Sequence, residues 1–210
     1  MNGIFFYIGL GAGLGAACGL RPFLPLLLAG ALGSSGALGV SFAHGSFHFL
    51  QEGWWLLAVT VAFVLAYVLQ LVLGLAPTLA PRGRTRAPAG DAFAASLAGL
   101  SFSSGALLFA GTLAAHRDAS WAGVLGGLAA AALAQRAVGP VIAGARARLA
   151  DRGAREALTV YLDAVSLLLA GLVALLHPLG YVAIALLLWL AWRGRSREDE
   201  KHAGLRVLRR

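Results

Sequence analysis

Apolar residues in this chain come in long blocks separated by short polar stretches, rather than recurring at the spacing of a helix with one wet face. Six blocks can be drawn: Ile4 to Leu32, Trp54 to Ala80, Ala92 to Ala115, Trp121 to Ala143, Ala157 to Leu176 and Tyr181 to Trp192. All but the last reach roughly the 20 residues that a helix needs to cross a hydrocarbon core about 30 Å thick. Nothing alternates in polarity over the length of a barrel strand. The pattern therefore predicts an all-α, polytopic transmembrane helix bundle of about six crossings.

The polar stretches assign sides. PRGRTRAPAGD carries Arg82, Arg84 and Arg86; ARARLADRGARE carries Arg146, Arg148, Arg152 and Arg155; and every basic residue from Arg193 onward follows the last block. Under the positive-inside rule these regions are cytoplasmic, and only Arg117, in the HRD turn, falls outside. Six crossings then close with both termini cytoplasmic, and residues 194–210 form a charged cytoplasmic tail. A cleaved signal peptide is disfavoured, because the first basic residue is Arg21 and the apolar run continues beyond any cleavage point near Cys18.

Two blocks are interrupted by arginine and proline. In the first, R-P-F-L-P-L-L-L-A-G-A begins at Arg21 and carries Pro22 and Pro25; in the fourth, R-A-V-G-P-V-I-A-G-A begins at Arg136 and carries Pro140. Each arginine has a proline four residues on, which lacks the donor for the arginine carbonyl and crowds it. The expectation is two broken helices running in opposite directions. That would make an inverted repeat of three plus three helices, residues 1–115 and 116–193, with a site at the repeat interface near the midplane. The plain alternative is that each arginine snorkels to an interface, which lowers a central charge's cost of roughly 2.5 to 3.5 kcal/mol.

Composition and charge adjust this picture only slightly. Apolar residues are 59% of 210 positions and charged residues 12%, too greasy for a soluble domain. The formal charge of +8 sits beside the apolar blocks, so it argues for membrane topology and against nucleic acid. Cys18 is the single cysteine, so neither an internal disulfide nor a cysteine zinc site is available, and packing is its expected role.

Asp163 is the one carboxylate well inside a predicted crossing. Pairing with one arginine would leave the other for an anionic ligand. Gln70 and Gln135 suit either a cavity lining or bonds across helices. Thr60, Ser96, Ser101, Ser103 and Ser104 are expected to return their hydroxyls to the helix backbone. His44 and His48 have a four-residue spacing that could grip a metal, but no third ligand completes a set, so no metal and no cofactor is expected. Gly11, Gly15 and Gly19 fall on one helix face, fit for close packing within the bundle or in a homo-oligomer. GLGAGLGAACG is not a dinucleotide loop, because no strand precedes it and no acidic residue follows near twenty positions on.

GLRPFLPLL near the start, RAPAGDAFAASLAG opening the third block and YLDAVSLLLAGLVALLHPL in the fifth together resemble the bacterial membrane family catalogued as domain of unknown function 4126. The resemblance covers most of residues 10 to 190 and implies a polytopic protein of the bacterial inner membrane, without naming a substrate. The family pattern has an acidic and a basic residue in the second crossing, where this chain has Gln70, and a Glu-Asp pair in the fifth, where Leu162 precedes Asp163.

Three functions compete. The first is a transporter or channel for a small anionic solute, bound by Arg21, Arg136, Asp163, Gln70 and Gln135 between the broken helices. The second is a non-transporting scaffold or assembly factor that holds a partner protein or anionic lipid on its basic loops. An intramembrane enzyme is disfavoured, since no HExxH, no Ser/His pair at helical spacing and no carboxylate cluster lies in the blocks.

Overall fold

A computed structural model describes residues 3–42, 46–79, 88–149 and 151–207. His44, Arg82, Arg84 and Arg86 lie outside the described residues. The chain is helical: α1 (Ile4–Leu20), α2 (Phe23–Ser35), α3 (Gly53–Leu79), α4 (Pro88–Ala115), α5 (Ser120–Arg148), α6 (Arg152–Leu175) and α7 (Leu179–Val207), with two short 3-10 turns, Ala37–Gly39 and His48–Gln51, between α2 and α3. Among the described residues four stretches are long and apolar enough to cross a membrane: Gly53–Gln70, Ala95–Ala115, Ser120–Arg148 and Gly153–Leu175. Ile4–Leu20, Phe23–Ser35 and Leu179–Gly194 are shorter apolar helices.

The first block doubles back on itself. Its two helices are separate, and both outer ends lie at the same end of the bundle. At the start of α1 the Phe5 carbonyl accepts a hydrogen bond from the Tyr181 hydroxyl at 2.6 Å, Phe6 meets His177 edge-on, and Tyr7 stacks on His116. Beyond α2, Phe42 packs on Gly33 and on Gly111 near the end of α4, while Gly39 lies by the His177 ring. Arg21 and Pro22 are therefore the tip of a re-entrant helical hairpin that enters from the histidine end, the end that carries the α4–α5 and α6–α7 turns. The opposite, basic end holds the α5–α6 turn with Arg146, Arg148, Arg152 and Arg155.

Pro22 causes the reversal. The residue before a proline is pushed out of helical conformation, and Arg21 is extended at φ −151°, ψ 127°. Pro22 then caps α2, and Pro25 sits in its first turn, where a missing N–H costs no intrahelical bond. The other end of α2 is closed by Gly36 in left-handed conformation, φ 65°.

Arg136 lacks an adjacent proline. Pro140 alone does not break α5, which is one helix from Ser120 to Arg148, so the expected break in the fourth block is absent. The two arginine segments also run parallel: Gly15 faces Gly127 and Ala130, and Gly19 faces Ala131 and Ala134. An inverted relation between them is not what the fold contains. The helices of the two expected halves are packed together, because α1 lies against α5, α6 and α7. α1 starts at the histidine end of the bundle, whereas α7 leaves that end at Leu179 and continues as helix through the expected separate tail to Val207.

Glycine makes α1 the centre of this bundle. Gly11 sits on Phe109, and a Cβ at Gly19 would lie 2.5 Å from the Ala131 carbonyl oxygen and 2.7 Å from its Cα. The predicted glycine face is thus filled from within, and is not the surface a second copy would use. Cys18 is wholly buried beside it, in the packing role expected. Thr60, Ser101, Ser103 and Ser104 each return a hydroxyl to the carbonyl four residues back, at 2.7–3.0 Å.

Gly19→Ala is expected to lower stability by about 1–3 kcal/mol, because Ala131 backbone cannot move aside, whereas Gly139→Ala meets nothing within 4 Å and should be neutral or better. Thermal unfolding in detergent compares them; equal midpoints would show that α1 is not packed as described. A second expectation concerns the histidine end. Burial, and then the nearby charge of His116, hold the His177 pKa below its usual value. A depressed histidine binds fewer protons folded than unfolded, so its contribution is intact above its ordinary pKa near 6.5 and is lost as pH falls below it. Hydrogen exchange at residues 4–9 should rise between pH 7.5 and pH 5, roughly spanning that pKa, and His177→Gln should flatten the rise.

Candidate functional site

Five elements bring polar side chains to the tip of the re-entrant hairpin. Arg21 leaves the α1–α2 break and places Nε 3.4 Å from Oδ1 of Asp163 on α6, with the two side chains 14% and 8% exposed. The other carboxylate oxygen, Oδ2, accepts a hydrogen bond from the Tyr67 hydroxyl of α3. Asp163 is held on its own helix by the Ser166 hydroxyl, which donates to its backbone carbonyl at 2.8 Å. A guanidinium cannot shed its charge in a protein interior, so a paired, hydrogen-bonded carboxylate is what allows Arg21 to stay there.

One turn before Asp163, Thr159 extends the cluster. Its hydroxyl oxygen accepts from Arg146 Nη2 of α5 at 3.2 Å and from Gln70 Nε2 of α3 at 3.5 Å. Thr159 and Asp163 are four apart and so share a face of α6. That face ties the hairpin tip, α3 and α5 together through polar contacts.

Beside the tip lies a cavity of about 360 Å³ between the α1–α2 break, α4 and α5. Arg21, Gln135, Arg146 and Ser101 supply its polar lining, and Leu20, Val138, Ile142 and Leu162 much of its apolar wall. Arg146 is exposed and Arg21 only partly so, which puts the mouth toward the basic end and the hairpin tip deeper in. The Nη2 atom of Arg21 is buried without a hydrogen-bond partner. Two permanent cations against one carboxylate leave the site net positive, with guanidinium and amide donors ready for an acceptor-rich guest.

Of the residues expected in the site, Arg21, Asp163 and Gln135 meet at or beside this cavity, and Gln70 joins through Thr159. Pro22 lines the cavity as well, while Pro25 is buried in α2. Arg136 does not join. It is exposed and, with Pro140, lines a second cleft against α7, because one step along α5 turns it about 100° away from Gln135. Tyr67, Thr159 and Arg146 were not anticipated. Four-residue spacing from Asp163 marks Thr159, three-residue spacing from Gln70 marks Tyr67, and Arg146 was hidden among the basic residues of a predicted loop.

Among the described residues no group of three or more His, Cys, Asp or Glu could hold a metal. His48 instead pairs with Glu52, its Nδ1 at 2.9 Å from Oε1.

Asp163→Ala should strand the Arg21 charge and cost about 3–5 kcal/mol, whereas Tyr67→Phe should cost about 1–2 kcal/mol. Chemical unfolding of both single variants and the double checks the coupling. Strict additivity would argue against a shared contact, since Tyr67 loses its partner in either case. No family model, no curated protein and no solved structure matches this chain, so the likeness to the bacterial membrane family rests on the three quoted motifs alone.

Proposed function

We propose that the protein is a membrane transporter or channel for a small anion, which binds in the cavity between Arg21 and Arg146. The observation that carries this reading is the lining: two guanidiniums, one with a buried nitrogen lacking a partner, against a single carboxylate that is already engaged. An anion would complete the charge balance. Arg146 at the mouth would attract it, and Gln135 and Ser101 would replace part of its hydration. Asp163 keeps the pull of Arg21 moderate, as release requires.

The basic end is read as cytoplasmic from its arginines, which puts the start of α1 on the other face. The broken hairpin suits passage, since irregular backbone at membrane depth belongs where it lines a cavity. Together with the family likeness, this favours the bacterial inner membrane. Pairing α1 with α5 as broken helices of a repeat is no longer part of the mechanism, and Arg136 is not a site residue in this reading.

Proteoliposomes carrying the whole protein would be tested with labelled inorganic phosphate, acetate and chloride in turn. At least one should move faster than in empty vesicles, and Arg21→Gln and Arg146→Gln should each reduce that rate by roughly tenfold or more, the worth of one charge-assisted contact. Arg148→Gln should leave it unchanged. Failure of the wild-type protein to move any of the three, with its fold intact, would favour the scaffold instead.

A further inference from the structure

The second cleft has its own chemistry. It encloses about 630 Å³ between α5 and α7, closed at one side by Phe102 of α4, and Arg136 lies in it with Pro140, Leu190, Ala191 and Gly194. Small side chains create the space: Ala132, Ala137, Ala191 and Gly194 leave the groove that larger residues would fill. Arg136 is exposed and, among the described residues, takes part in no ion pair or hydrogen bond, not even to the carbonyl that Pro140 frees. Among the described residues no carboxylate lines the cleft.

Its depth is marked on α7. The apolar stretch of that helix ends at Gly194, and the exposed Trp189 and Trp192, with Arg193 over the Trp189 ring at 5.2 Å, form the band expected at a headgroup boundary. A cation at this level, with an apolar groove beside it, faces lipid phosphate and not bulk water. A soluble anion would find one charged group, Arg136, with the Gln135 amide and greasy walls.

We propose that the α5–α7 cleft is a binding site for one anionic phospholipid, its phosphate on the Arg136 guanidinium and an acyl chain along the small-residue groove. The site is separate from the anion cavity: Gln135 lines both, but Arg21 and Arg146 line only the first and Arg136 only the second. Its occupant would brace α7 against α5 where those helices leave the apolar core.

Native mass spectrometry of the detergent-solubilised full chain, titrated with phosphatidylglycerol and with phosphatidylcholine, tests the site. The first phosphatidylglycerol should bind about tenfold more tightly than phosphatidylcholine, the equivalent of one charge-assisted contact. Arg136→Gln should abolish that preference, Arg136→Lys should keep part of it, and Arg148→Gln should keep it whole. Gly194→Leu fills the groove while leaving Arg136 in place, in a position where an added Cβ meets nothing within 4 Å, and should also abolish it. No preference in the wild-type protein, or an unchanged preference in both Arg136→Gln and Gly194→Leu, would overturn the site. Displacement of the bound lipid by inorganic phosphate would make it a soluble-anion site instead. A dimer whose mass persists without lipid and is lost in Gly194→Leu would assign the cleft to a second copy.

Discussion

A permanent positive charge at the tip of a helical hairpin is the constraint around which the rest of the molecule is arranged. Arg21 cannot deprotonate, and Pro22 fixes its backbone in an extended conformation that ends α1 and starts α2. The charge therefore needs an acceptor at hand, and α6 provides one in Asp163, itself held by Tyr67 from α3. Removing a helix from this set would leave a charge or a hydroxyl without its complement.

Close packing makes the ion pair possible. The hairpin can reach the interior only if α1 lies flush against its neighbours, and in the absence of a strong apolar driving force between helices in lipid, small residues do this work. Gly15 and Gly19 bring the α1 backbone onto α5, and Gly13 accommodates Val173 of α6 with Gly180 of α7 close by. The aromatic and histidine contacts at the start of α1 hold the other end of the same helix. Depth, tilt and the position of Arg21 follow from these contacts together.

The two arginine-proline segments divide the labour. One arginine is enclosed, paired and beside an internal cavity; the other faces outward at the level of the tryptophans of α7. Residues of α5 carry the distinction, since Arg146 lines only the first space and Arg136 only the second, with Gln135 between them at the wall of both.

By itself the sequence determined the helical class, the apolar blocks, the break at Arg21-Pro22, the packing use of the glycines and the importance of Asp163. Each of these depends on a local property: block length, a proline's effect on the residue before it, a missing Cβ, a lone acid among apolar neighbours. Tertiary structure alone decided that the first block doubles back, that Pro140 leaves α5 whole, and that Arg146 belongs to the site while Arg136 does not. Block length cannot distinguish a 29-residue crossing from two half-helices lying side by side, and a shared R-x-x-x-P spacing does not tell whether the helix continues through the proline. Those outcomes depend on which helix faces which, and that is set by contacts among residues far apart in the chain.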